Sequence, residues 1–144
     1  MMMYAIIRVR GSVDKRQEIK DTMAMLRLTH VNHCVLVRKD PKIEGMIKKV
    51  KDFVTWGEIS EATLEKLVSE RGRMEGDKKL DEKDAKSVLE SIKKNKKTNV
   101  IKGFKPVFRL SPPKKGYEGI KRAYPKGALG YRGEKINHLI ERMI

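Results

Sequence analysis

The stretch THVNHCVLV, residues 29–37, places two histidines and the only cysteine of the chain within five positions. It reads either as the core of a metal or catalytic cluster or as the start of a buried strand, and the fold turns on that choice. A zinc site needs about four ligands, drawn mostly from closely spaced Cys and His pairs. His30, His33 and Cys34 supply three, there is no second cysteine, and the remaining histidine, His138, lies near the far end of the chain. On a strand, the two-residue period sends His33 and Cys34 to opposite faces, where they cannot share an ion. The strand reading wins: Cys34 is expected to be a small buried apolar residue beside Leu36. No metal, cofactor or Cys-His nucleophile is expected.

Working outward, NHCVLVRK (32–39) is a strand stopped by Asp40-Pro41. Upstream, Ile19, Met23 and Leu26 repeat at helical spacing in a helix opened by an Asp14/Gln17 capping pair and running to about Leu28. Before it, YAIIRVRG (4–11) alternates: Ala5, Ile7 and Val9 point one way, Tyr4, Ile6, Arg8 and Arg10 the other. This predicts a strand with one apolar face, ended at Gly11, with Arg8 and Arg10 away from the helices. Downstream, Asp40 and Pro41 form an N-cap and first-turn proline, and Ile43, Ile47 and Val50 mark a second helix. FVTWGEI (53–59) is a third short strand.

The predicted class is therefore α+β. Residues 1–59 form a compact core in the order strand, helix, strand, helix, strand, with a three-stranded sheet and both helices on one face. Ser60 and Asp81 open two further helices, so 60–98 reads as a helical hairpin extension around the polar, glycine-containing link RGRMEGDKK. Residues 99–144 read as a basic, loop-rich segment with a short strand at VFRL (107–110). The spacing of Ile136, Leu139, Ile140 and Met143 adds a closing helix that docks on the core.

Charge points to the partner. The 144 residues carry a formal net charge of +15, with 34 Lys+Arg against 19 Asp+Glu. Of these, 14 basic and only 2 acidic residues fall in the window 93–135, so the excess belongs to one segment. Such a surplus calls for a polyanion, and nucleic acid is the first candidate. A single cysteine suits a reducing interior. No apolar run reaches membrane-spanning length, and the N-terminus is interrupted too early by Arg8 for a signal peptide, so an intracellular soluble protein is expected.

Two nucleic-acid modules are tested by their motifs and rejected. GYRG (130–133) satisfies the G-x-x-G of a KH domain, but RAYPKGAL before it is not helical. Two readings of its glycines stay open: close approach of the backbone to RNA phosphate, or a turn capping the last helix. KGFKPVFR (102–109) touches the RNP1 pattern, yet Pro106 removes a ladder hydrogen bond and excludes a regular central strand. What survives is PPKKGYEGIKRAYPKGALGYRGEK (112–135), whose cations attract phosphates while Tyr117, Tyr124 and Tyr131, seven apart, offer faces for bases or sugars. Arg38 and Lys39 at the end of the second strand, and Lys48 and Lys49 on the second helix beside Lys51, are further surface cations expected to contact RNA.

The segments RGSV, LRLTHVNHC, FVTWGE and GYRG before a closing helix, spread over essentially the whole chain, resemble the archaeal form of protein thirty of the large ribosomal subunit, whose eukaryotic relative is called large-subunit protein seven. The resemblance implies a small α+β domain with two helices on a three-stranded sheet, no catalysis, and no metal or small-molecule substrate. It implies a cytoplasmic constituent of the large subunit that binds its rRNA, close enough to 5S rRNA to touch it, among neighbouring ribosomal proteins. Carried onto these positions, it favours as RNA contacts Arg8 and Arg10 beside Gly11, and Arg27 at the end of the first helix. It also favours the tract comprising Lys114, Lys115, Lys121, Arg122, Lys126, Gly130, Arg132, Gly133 and Lys135 with its tyrosines. The rival readings are an architectural DNA- or RNA-binding protein outside the ribosome, separable by competition between duplex DNA and rRNA fragments, and an RNA-modifying enzyme. The enzyme would need paired acids, and Asp40, Glu44, Asp52 and Glu58 each fit a cap or a solvated position instead.

Overall fold

A computed structural model describes residues 3–10, 17–28, 30–38, 40–71, 82–93, 107–114, 116, 127 and 129–144. The elements follow in the order β1 (Met3–Arg8), α1 (Gln17–Met25), β2 (His33–Arg38), α2 (Pro41–Lys49) and β3 (Val54–Glu58). Then come α3 (Glu61–Arg71), α4 (Glu82–Lys93), β4 (Val107–Arg109), β5 (Gly130–Tyr131), a single 3₁₀ turn over Gly133–Lys135, and α5 (Ile136–Met143). The α+β class and the alternating order of the first five elements are as expected.

Local signals account for the helix ends. The Asp40 carboxylate accepts from the Lys42 amide at 3.0 Å with Pro41 in the first turn, the cap anticipated from the sequence. The Ser60 hydroxyl accepts from the Thr63 amide at 3.3 Å to open α3. At the far end of α1, Leu28 N–H donates to the Met23 carbonyl and Arg27 N–H to that of Ala24, with Arg27 at φ 63°. These two nested bonds are a Schellman ending, and the apolar contact that accompanies it puts Leu28 and Met23 in one cluster. The left-handed position of that ending usually holds glycine; here it holds an arginine. The Asp14 cap lies outside the described residues.

Among the described residues the sheet has five strands in the order β4-β2-β1-β3-β5, not three. β1 pairs antiparallel with both β2 and β3, β4 adds antiparallel to the outer edge of β2, and β5 adds parallel to β3. Both additional strands come from the basic C-terminal segment, which sequence reading treats as mainly loop. A three-stranded sheet would leave two edges with unpaired backbone groups, and these short strands cover part of them.

The faces also differ from expectation. Tyr4 and Ile6 pack with Met23 of α1 and Ile47 of α2, whereas Ala5 and Ile7 pack with Leu64, Leu67 and Val68 of α3 and with Ile136, Leu139, Ile140 and Met143 of α5. β1 is therefore apolar on both sides, and α1 and α2 share the face of Tyr4, Ile6 and Arg8 instead of avoiding it. The prediction fails because it counts Tyr4 and Ile6 as outward residues, while α3 and α5 turn the second face into interior. Cys34 is fully buried beside Leu36 in the α3–α5 layer, as anticipated.

Gly57 makes that second layer possible. It pairs with Ala5 in the register of β1 and β3, and a Cβ there would overlap the carbonyl oxygen of Gly133. With no side chain, the 3₁₀ turn lies directly on the sheet and α5 follows it down. Asn137 then ties the corner, accepting from the Ser60 amide at 2.8 Å and donating to the Glu134 carbonyl at 2.9 Å.

Candidate nucleic-acid interface

Strand direction decides which cations meet. β1 ends at Arg8 opposite Val54, the start of β3, and Ile7 lies opposite Cys34 near the start of β2. β4 ends with Arg109 opposite His33. One end of the sheet thus gathers the end of β1, the α1–β2 turn, the α2–β3 turn and the end of β4. Arg8, Arg10, Arg27, Lys49, Lys51 and Arg109 all belong to these pieces. Arg38 lies at the other end, opposite Met3, where Glu58 faces Tyr4.

The members of this end are not equivalent. Arg8 is 6% exposed, and its Nη1 donates to the Leu28 carbonyl at 2.7 Å while Nε donates to that of Arg10 at 3.0 Å. Burial lowers its pKa from the usual arginine range. Its geometry is that of a brace holding β1 against the end of α1. Arg10 is half-buried, with its guanidinium 5.5 Å from the centre of the Phe53 ring and Nη1 3.4 Å from the Asp52 carbonyl. Arg27 is exposed, and so are Lys48, Lys49, Lys51 and Arg109. Lys48 and Lys49 occupy the last turn of α2, where cations also complement the helix dipole. Lys49 approaches Glu18 of α1 at 3.8 Å, an exposed pair that water and salt screen heavily.

The histidines sit beside this end. The His30 and His33 rings are 5.1 Å apart. His33 Nδ1 is buried and finds no hydrogen-bond partner among the described residues. Burial first, then the charges of His30, Arg109 and Arg8, lower the His33 pKa, which keeps its ring neutral at neutral pH. Burial also pushes the Cys34 thiol up to about 12, which disfavours the thiolate. Among the described residues no group of three or more His, Cys, Asp or Glu is placed to hold a metal ion.

In the C-terminal segment, the GYRG glycines have a structural use. Gly130 and Gly133 adopt φ of 87° and 54°, conformations that favour glycine. Between them Arg132 donates from Nε to the Thr55 hydroxyl at 2.9 Å, and that hydroxyl donates to the Gly130 carbonyl at 2.8 Å. The turn leading into α5 is thus built by these residues themselves. Tyr131 is 51% exposed, and Lys135 and Lys114 project from the surface. Arg142 of α5 donates to the Lys114 carbonyl at 2.8 and 3.0 Å, and also to the Gly116 carbonyl, fastening that loop. Gly11, Lys39, Lys115, Tyr117, Lys121, Arg122, Tyr124 and Lys126 lie outside the described residues, as does the side chain of Arg38.

Sequence reading did not select Arg109. Its signal was available in the alternation of VFRL, which buries Phe108 and turns Arg109 outward. No helix among the described residues is long and apolar enough to cross a membrane.

The family model described as Ribosomal protein L30p/L7e matches residues 4–54, the β1–β3 unit up to the start of its last strand. Over nearly the whole chain, the protein is similar to the large ribosomal subunit protein uL30 of Methanosphaera stadtmanae, with 44% identity over 99% of this chain and 100% of that protein. The uL30 proteins of Methanococcus maripaludis and Methanoregula boonei are 49% and 48% identical, covering 99% and 98% of this chain and 100% and 99% of theirs. With identity at this level from end to end, and with the matched segment running through β1, α1, β2 and α2 to the start of β3, the chain belongs to the L30p/L7e family of ribosomal proteins.

Proposed function

We propose that the protein is a structural constituent of the large ribosomal subunit in the cytoplasm, and that it binds large-subunit rRNA by neutralising phosphates and fitting backbone shape. The observation that carries this reading is the convergence of Arg10, Arg27, Lys49, Lys51 and Arg109 on one end of the sheet, in a chain of net charge +15. The brace at Arg8 holds that end in shape, and the exposed cations around it meet phosphate. The lysine-rich tract from Lys114 to Lys135 extends the contact, with Arg142 holding the Lys114 carbonyl and the Gly130–Gly133 turn leading into α5. Double-stranded RNA hides its base edges in a deep groove, so recognition is mainly of shape and backbone. Contact with 5S rRNA, and with neighbouring ribosomal proteins, belongs to the same proposal.

Crosslinking within purified large subunits tests it. The expected outcome is adducts between rRNA, including 5S rRNA, and peptides containing Arg27, Lys49 or Lys114. In solution, affinity for large-subunit rRNA fragments falls as a power of salt concentration set by the number of phosphates neutralised. Equal affinity for duplex DNA at moderate salt overturns the ribosomal reading in favour of general nucleic-acid binding.

A further inference from the structure

Between α2 and the sheet lies a recess of ≈ 350 Å³, lined by Tyr4, Glu44, Ile47, Lys48, Trp56 and Tyr131. The register explains its place. Trp56 of β3 lies opposite Ile6 of β1 on one side and Tyr131 of β5 on the other, while Glu44 and Lys48 stand four residues apart on α2 and so share a helix face. β5 is the strand that the basic C-terminal segment adds to the sheet, and it brings Tyr131 to this spot. Lys48 is followed in the last turn of α2 by Lys49, which belongs to the cationic end. The recess therefore borders the basic tract through β5 and the cationic end through α2.

The lining combines aromatic faces with one carboxylate and one ammonium, so its formal charges balance. The Tyr4 and Tyr131 rings meet at 78° with centroids 6.4 Å apart, and Trp56 and Tyr131 at 51° and 6.3 Å. Tyr4 is buried, Trp56 half-buried and Tyr131 half-exposed, so Tyr131 offers the face that a planar group from solvent reaches first. The Tyr4 hydroxyl donates to Glu44 Oε1 at 3.1 Å and steadies the carboxylate at the wall. A carboxylate accepts at roughly four positions, so one tyrosine hydroxyl does not exhaust it. Lys48 is exposed and stands at the rim. Outside the lining, Glu58 accepts from the Tyr131 hydroxyl at 2.7 Å and orients that ring.

We propose that this recess receives an unpaired guanine of the rRNA, stacked on Tyr131 with its Watson–Crick edge toward Glu44. Guanine presents two adjacent donors on that edge, N1–H and the 2-amino group, and a carboxylate accepts such a pair side by side through charge-assisted bonds. Adenine, cytosine and uracil each present a single donor group there. Lys48 at the rim meets the phosphate of the same nucleotide and offsets its repulsion from Glu44. Base-specific recognition of RNA falls mainly on unpaired bases that can splay out and stack on aromatic side chains, which is what this lining offers. The inference rests on the rRNA-binding reading and adds to it: the cationic end meets backbone, and the recess reads one base.

Trp56 is the only tryptophan of the chain, so its fluorescence reports the recess apart from the cationic end. The full-length protein is titrated with a short oligouridylate carrying one central guanosine, and with counterparts whose central residue is inosine, adenosine, cytidine or uridine. Binding of a large-subunit rRNA fragment is measured in parallel by filter retention. The expected result is a saturable change with the guanosine oligonucleotide, and binding weaker by about fivefold or more with adenosine, cytidine or uridine at the centre. Inosine, which lacks only the 2-amino group, falls between. Glu44→Gln abolishes the preference for guanosine, and Tyr131→Ala weakens the guanosine oligonucleotide by about fivefold or more through lost stacking. Retention of the rRNA fragment without a saturable Trp56 response, equal binding of the guanosine and inosine oligonucleotides, or a guanosine preference that survives Glu44→Gln overturns this inference alone. Failure of both the rRNA fragment and the oligonucleotides to bind overturns the rRNA-binding reading along with it.

Discussion

The two faces of the sheet are covered by different means. On one, α1 and α2 lie between the strands they cover, so Met23, Leu26, Ile47 and Val50 reach Tyr4 and Ile6 through short connections. On the other, the cover comes from α3, α4 and α5, and Phe108 and Met143 reach Ala5 and Cys34 across most of the chain. The first layer is specified by neighbouring sequence. The second forms only when the C-terminal segment returns, against the entropy of closing a long loop, and adds β4 and β5 to the sheet edges.

The largest test of this contrast removes one large side chain from each layer. Phe108 is fully buried and pairs with Cys34; Ile6 is fully buried on the opposite face. Phe108→Ala is expected to cost about 3–5 kcal/mol and Ile6→Ala about 2–5 kcal/mol, measured by denaturant unfolding. Alkylation of the buried Cys34 under native conditions tells whether the layers open together. If they form one cooperative unit, each variant accelerates labelling by the factor its loss of global stability predicts. Acceleration by Phe108→Ala alone would mean that the α3–α5 layer opens by itself.

A smaller effect is expected at Gly57, the point of closest approach between the second layer and the sheet. Gly57→Ala sets a methyl group against the Gly133 carbonyl and Ile136, and overpacking of this kind costs about 1–3 kcal/mol. Its thermal midpoint should fall with a loss of Cys34 protection. An unchanged midpoint would show that the 3₁₀ turn can lift from the sheet at little cost.

Arg8 and Arg27 separate bracing from binding within the first layer. Arg8→Met leaves the buried Leu28 carbonyl without its guanidinium donor, an expected loss of about 1–3 kcal/mol. Arg27→Gly acts in the other direction. It relieves a left-handed arginine and should raise stability by about 1 kcal/mol, while the slope of rRNA affinity against salt falls by about 1 for the lost phosphate contact. Equal rRNA affinity and salt slope in Arg27→Gly would remove Arg27 from the interface.

The smallest effect is a pH dependence at His33. Its folded pKa lies below the ordinary value of 6.5, so below that pH the unfolded chain binds the proton more readily. Stability is full above the unfolded value and declines as pH falls from there through the folded one. His33→Gln should flatten that decline in unfolding curves taken between neutral and mildly acid pH; a curve unchanged from the parent would exclude this origin.

Much of the unit from β1 to β3 was legible in the residues. The Asp40-Pro41 cap, the spacing of Ile43 and Ile47, and the two-residue period that buries Cys34 are local signals with local outcomes. The site was less so. Alternation identifies which residues share a face, but not which strands lie side by side, so the convergence of Arg10, Arg27 and Arg109 and the facing of Tyr4, Trp56 and Tyr131 were hidden. Arg8 shows the same limit from the other side: an arginine reads as surface until the Leu28 carbonyl arrives to receive it.

By itself, the sequence determined the α+β alternation, the caps at Asp40 and Ser60, the burial of Cys34 and the cationic character of the chain, because each depends on residue type and spacing within a turn or a strand. The tertiary structure alone decided the five-stranded order, the second apolar face of β1, the buried bracing by Arg8, and the gathering of Arg10, Arg27 and Arg109 at one end of the sheet. Those features require residues far apart in the chain to meet, and the free energy of that meeting resides in pairing and packing that no local window contains.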